Sequence, residues 1–180
     1  MSNIPNHDLY APQWVSDAQR PKDLYSEILP GLYMGGTMDG DTVNNPLRLA
    51  DLETSQFFDS VVTLYSWAHA MGWGVEEVRY GFGDADMSGV DVARILRIAK
   101  WAKDQWSQGQ TVLIRCQAGL NRSGLLTALT LMHAGHTAEE AIMLIRSKRA
   151  EIALCNDDFV DWLITEAEAH FVQETSSSAA

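Results

Sequence analysis

The sequence is poor in cysteine and in positive charge, and it has no long apolar run. Cys116 and Cys155 are its two cysteines. Two are too few for a disulfide framework, so a reducing, cytoplasmic setting is expected, where a free thiol stays reactive. Lys and Arg number 13 against 24 Asp and Glu, a formal net charge of −11. Broad nucleic-acid binding and docking on anionic membranes both need a basic surface, so no nucleic-acid or membrane partner is expected. No apolar run approaches the roughly 18 residues of a membrane span. The opening MSNIPNHDLYAPQW lacks the basic region and apolar stretch of a secretory leader, and none is expected. What remains is ordinary globular composition, 46% hydrophobic and 21% charged over 180 residues, enough for one domain with a buried core.

Pro5, Pro12 and Pro21 punctuate a polar, aperiodic opening. Residues 1–24 are therefore expected to form an extended arm, residues 25–172 a single domain, and residues 173–180 a disordered tail. Short β-rich runs at Leu32–Met34, Val61–Tyr65, Val75–Tyr80 and Val112–Ile114 predict strands. Helical spacing of Ile95, Ile98, Ala99 and Ala102 predicts a helix over 92–106. Residues 122–134 are apolar on most sides and predict a buried helix that Gly135 stops. Thr137 and Glu140 form a capping-box pattern opening a helix through Arg149. Asn156 can cap a last helix carrying Phe159, Trp162, Leu163 and Phe171. This alternation predicts an α/β fold, with a central mostly parallel sheet of four to five strands flanked by helices.

The chemistry concentrates in Val112-Leu-Ile-Arg-Cys116-Gln-Ala-Gly119-Leu-Asn-Arg122-Ser123-Gly124, read as strand, tight loop and buried helix. A helix N-terminus carries unpaired N–H groups and about half a positive charge. A loop curling ahead of it makes an anion nest, and Gly119 permits the backbone angles it needs. Arg122 adds a planar fork of donors suited to two phosphoryl oxygens. Thiols in such surroundings have pKa values of roughly 3.5–7.5. These residues assemble a nucleophile and an oxyanion cradle in one ring.

This is the C-x5-R-S/T signature, and the chain resembles a dual-specificity-type member of the cysteine-dependent protein tyrosine phosphatases. Ser26 to Gly35 resembles the opening strand and turn of that family, Phe58 to Leu64 its next core strand, and Gly109 to Ile114 the turn and strand feeding the loop. The resemblance implies Cys116 as nucleophile. It implies phosphate binding by Arg122 and by the amides of Gln117, Ala118, Gly119, Leu120, Asn121 and Arg122, and a Ser123 hydroxyl bonded to the sulfur. It implies a general acid from a loop about 30 residues before the cysteine. Asp84 fits that spacing best, Asp86 is its rival, and Asp91 reads as a helix cap. The implied reaction passes through a phosphocysteine, needs no metal or cofactor, and runs best at mildly acidic pH on a bell-shaped profile. The expected substrate is a phosphotyrosine protein or peptide, with phosphoserine and phosphothreonine admitted by a shallower pocket. Phosphoinositides are disfavoured, because the loop has no lysine.

Two positions depart from the family pattern. Arg115 stands where the family usually has His, where a cation can still favour the thiolate. Asn121 stands where many dual-specificity enzymes have Ser, and resembles the RNA 5′-triphosphatases of the superfamily. An RNA-end enzyme and a catalytically silent phosphate-binding module are the alternatives. Elsewhere, Arg94, Arg97, Lys100 and Lys103 read as a solvated basic helix face. Trp67, His69 and Trp73 read as core packing before pocket rim. His133 and His136 beside Glu139 and Glu140 read as no metal site. Cys155 reads as a structural thiol before a redox partner of Cys116.

Overall fold

The computed structural model describes residues 21, 23–37 and 57–171. The expected arm over 1–24, apart from positions 21, 23 and 24, and the tail over 173–180 lie outside them. Five strands form one sheet: β1 (Tyr25–Leu29), β2 (Leu32–Gly35), β3 (Ser60–Thr63), β4 (Glu76–Arg79) and β5 (Val112–Arg115). They lie in the order β1-β2-β5-β3-β4. β1 is antiparallel to β2, and the other three pairings are parallel. The expected mostly parallel sheet is therefore present, with five strands. The central strands β3 and β5 are buried along their whole length, as parallel strands covered on both faces must be.

Among the described residues four α-helices accompany the sheet: α1 (Val92–Ser107), α2 (Arg122–His133), α3 (Ala138–Lys148) and α4 (Asp157–Trp162). A wider π turn, Leu163–Ala167, continues α4. Each start agrees with its sequence signal. The Asp91 side chain accepts from the Arg94 amide, Thr137 and Glu140 form the reciprocal capping box, and Asn156 accepts from the Phe159 amide. α2 is buried from Ser123 to Met132, and Gly135, at φ +99°, ends the turn after it.

The pleat divides the sheet residues between two cores. Met34, Val62, Leu64, Val112 and Ile114 face the helices, where Ile95, Ala99, Leu125 and Leu129 meet them. Leu113 and Val61 face the other way and pack with Phe58, Tyr25 and Tyr33. β2, β3, β4 and β5 all point the same way, so the segments leaving them gather at one edge. In open α/β sheets ligands bind outside the carboxyl ends of the strands, and the cysteine loop lies there.

Candidate active site

Cys116 follows β5 directly. Its N–H donates to the Gly35 carbonyl (3.1 Å), which ties the start of the loop to the end of β2. The side chain is buried, and its Sγ lies 3.2 Å from Ser123 Oγ on the first turn of α2. Neighbouring segments engage the loop carbonyls. Gln117 O accepts from Thr37 N (3.0 Å) and Leu120 O from Leu154 N (3.3 Å), while Gly119 O accepts from Arg149 Nε (3.1 Å). Among the described residues no acceptor meets the amides of Ala118, Gly119, Leu120 or Asn121. A loop so engaged through its carbonyls leaves its N–H groups for an anion. Gly119 is required here: its φ is +70°, and a Cβ on it would sit 2.5 Å from the Gly35 carbonyl carbon and the Gly36 nitrogen.

Arg122 is anchored by the segments that follow β3 and β4. Its NH1 donates to Leu64 O (3.4 Å) and Phe82 O (3.3 Å), its NH2 to Gln117 Oε1 (3.5 Å), and Tyr65 lies under the guanidinium at 5.5 Å. Its Nε is buried with no hydrogen-bond partner. An orphaned buried donor costs about 1–3 kcal/mol, which an incoming oxyanion removes.

The two candidate acids part company. Asp84 reaches the cysteine loop, accepting from Asn121 Nδ2 at Oδ2 (3.2 Å) and from Asn156 Nδ2 at Oδ1 (3.0 Å). Asp86 instead caps a short 3-10 turn, Met87–Gly89. The Ser88 hydroxyl and amide hold its carboxyl below the ordinary carboxylate range.

Arg115 is turned away from the helices. The pleat that sends Ile114 to the helical core sends Arg115 to the opposite face, where it is buried. Its Nε donates to Thr63 Oγ1 (2.9 Å), and its NH2 to His69 O (2.7 Å) and Glu77 Oε1 (3.4 Å). A cation in electrostatic reach of Cys116 is Arg149, at the end of α3. Burial lowers its guanidinium to about 10, against the opposing pull of Cys116 and Asp23, so it stays charged at neutral pH. Neither Arg149 nor Asn156 stood out in the sequence. Arg149 reads as an ordinary basic residue at a helix end and Asn156 as an ordinary cap.

Other expectations sort similarly. Trp67 and Trp73 are 81% and 105% exposed, so packing in the core is corrected to a solvent-facing loop, with His69 exposed beside them. Arg94, Arg97 and Lys100 are exposed on α1. His133 packs on Phe171 and bonds Leu96 O, while His136 pairs with Glu140. Cys155 is half-buried, its thiol donating to Asn121 Oδ1 (3.3 Å).

Residues 91–169 match the family model described as Dual specificity phosphatase, catalytic domain. That span includes the whole cysteine loop, Arg149 and Asn156, and begins after Asp84. Protein tyrosine phosphatase domain-containing protein 1 of Bos taurus is 35% identical over 92 residues, 47% of this chain. The chain covers 11% of that relative's length. Human DUSP28 shares the fold with a TM-score of 0.68 at 19% identity, covering 84% of this chain and 97% of that one. PTPMT1 in complex with PI(5)P shares it with a TM-score of 0.64 at 23% identity, covering 88% and 100%. Over the matched segment, which is under half of the chain, and in its fold, the chain is similar to the dual-specificity phosphatases.

Proposed function

We propose that the chain hydrolyses phosphomonoesters, removing phosphate from phosphotyrosine, and from phosphoserine and phosphothreonine, in proteins through a phosphocysteine intermediate. The fold and family match support phosphatase activity on protein or lipid phosphoesters in general. The observation that carries the reading further is the ring at the carboxyl end of β5. A sulfur 3.2 Å from Ser123 Oγ is followed by four amides without acceptors, and the Arg122 Nε is buried and unpartnered. Unmet donors in that number suit a tetrahedral oxyanion.

In the first step the Cys116 thiolate attacks phosphorus and forms an S–P bond. The P–O bond to the alcohol breaks, and the departing oxygen takes the proton of Asp84. In the second step water attacks phosphorus and gives a proton to the Asp84 carboxylate. The S–P bond then breaks, and the Ser123 hydroxyl bonds the departing sulfur. The amides and Arg122 hold the equatorial oxygens in both steps. The loop side chains Gln117, Ala118, Leu120 and Asn121 bring no cation for the further phosphates of an inositol headgroup. The Asn121 amide, which suggested the RNA 5′-triphosphatases, is occupied by Asp84, Cys155 and the Asn156 N–H.

Steady-state assays on p-nitrophenyl phosphate and a phosphotyrosine peptide, without added divalent ion, test this. Cys116→Ser is expected to abolish turnover, and Asp84→Ala to lower it by about 10²-fold or more on the peptide, with Asp86→Ala close to wild type. Equal rates for wild type and Cys116→Ser would leave a phosphate-binding module. Faster release of phosphate from triphosphate-ended RNA than from the peptide would favour the RNA reading.

A further inference from the structure

We propose that Asn156 is a positioning residue for the proton donor. It holds Asp84 over the cysteine loop from a helix cap that belongs to neither. The side chain divides its two functions between its two atoms. Its Oδ1 accepts from Phe159 N (3.3 Å) and caps α4. Its Nδ2 donates to Asp84 Oδ1 (3.0 Å) and to Ala85 O (2.8 Å), so it grips both the carboxylate and the backbone behind it. The other Asp84 oxygen is held by Asn121. Asn121 is itself fixed through Oδ1, which accepts from Asn156 N (3.2 Å) and the Cys155 thiol (3.3 Å). The two asparagines thus brace each other and the carboxylate between them.

The need for such a brace follows from where Asp84 sits. It is exposed, in the irregular stretch 80–86 between β4 and the 3-10 turn, with exposed Gly83 and Ala85 on either side. Nothing regular in the backbone fixes its side chain. The loop's apolar anchor is Phe82, which packs on Phe159 of α4 at 6.2 Å between ring centroids, so α4 supports this segment at two points. A misplacement of about 1 Å in a reacting group can cost 10²-fold, and an exposed carboxylate on a short loop is open to that loss.

This rests on the reading of Asp84 as the acid, and the experiment separates the two claims. p-Nitrophenolate leaves well without a proton, whereas phenolate needs one, so phenyl phosphate reports proton delivery and p-nitrophenyl phosphate does not. Asn156→Ser keeps a capping oxygen and loses the amide. Asn156→Asp keeps the cap and sets a second carboxylate against Asp84. For Asn156→Ser, kcat/KM is expected to fall about tenfold on phenyl phosphate and less than about threefold on p-nitrophenyl phosphate. Asn156→Asp is expected to widen that gap. In an Asp84→Ala background Asn156→Ser is expected to add no further loss. Equal losses on both esters, or an additional loss in the Asp84→Ala background, would show Asn156 acting through the fold and overturn the proposal. Unchanged phenyl phosphate hydrolysis in Asp84→Ala alone would remove the acid assignment, and the positioning role with it.

Discussion

Arg149 is 7% exposed, and all three of its guanidinium nitrogens donate to the chain around it. Nε holds Gly119 O, NH1 holds Asp23 O and Ser26 Oγ, and NH2 holds Leu24 O. One side chain thus ties the cysteine loop to the entry of β1 and the end of α3. Arg149→Met would leave three carbonyls without their donor, each worth about 1–3 kcal/mol when unpaired and buried. The expected loss is about 3 kcal/mol, read as a lowered urea midpoint, with a parallel fall in kcat/KM. Arg149→Lys should recover only a fraction, because an ammonium cannot reproduce the planar fork. A midpoint unchanged in Arg149→Met would contradict this clamp. The same residue marks the limit of what sequence reveals. Cys116, Arg122 and Ser123 are legible because one loop fixes their spacing, and the structure brings them together. Arg149 lies 30 residues from its loop partner and 126 from Asp23. Only the folded chain closes such distances.

At the scale of elements, the ends of α1, α3 and α4 were legible in Asp91, Thr137 with Glu140, and Asn156, since capping is local chemistry. The loop between β3 and β4 was not. Its tryptophans carry no period, and their solvent-facing places follow from packing, not pattern. Across the sheet from the helices, Glu77 of β4 joins Arg115 of β5, Arg79 of β4 and Thr63 of β3. Burial, the largest influence on the Glu77 carboxyl, raises it. The Thr63 hydroxyl, the Met71 N–H and the charges of Arg79 and Arg115 together outweigh burial and hold it below its ordinary value of 4.5. A carboxyl lowered in the fold stabilises above its unfolded value, and that stabilisation is lost as pH falls through the folded value. Glu77→Gln is therefore expected to flatten the loss of stability below about pH 4.5. It should also cost about 3 kcal/mol at neutral pH, because the buried Arg115 loses its counter-charge. Thermal unfolding across pH 3–7 measures both; a Glu77→Gln curve parallel to wild type would refute the coupling.

At the scale of the whole molecule, the site is a consequence of strand order. β2, β5, β3 and β4 run parallel as neighbours. The residues that follow them therefore meet at one edge: Thr37 on Gln117, Leu64 and Phe82 on Arg122, and Asp84 on Asn121. Periodicity showed the strands and helices but not this order, because strand order depends on which hydrophobic faces meet across long crossovers. No helix among the described residues is long and apolar enough to cross a membrane. The most direct measurement is a rapid acid quench of the wild-type chain during turnover of a phosphate-labelled phosphotyrosine peptide, followed by mass mapping of the protein. The account predicts one phosphoryl group, carried on the peptide that contains Cys116 and absent from Cys116→Ser. Turnover with no labelled protein, or label on any other residue, would contradict it.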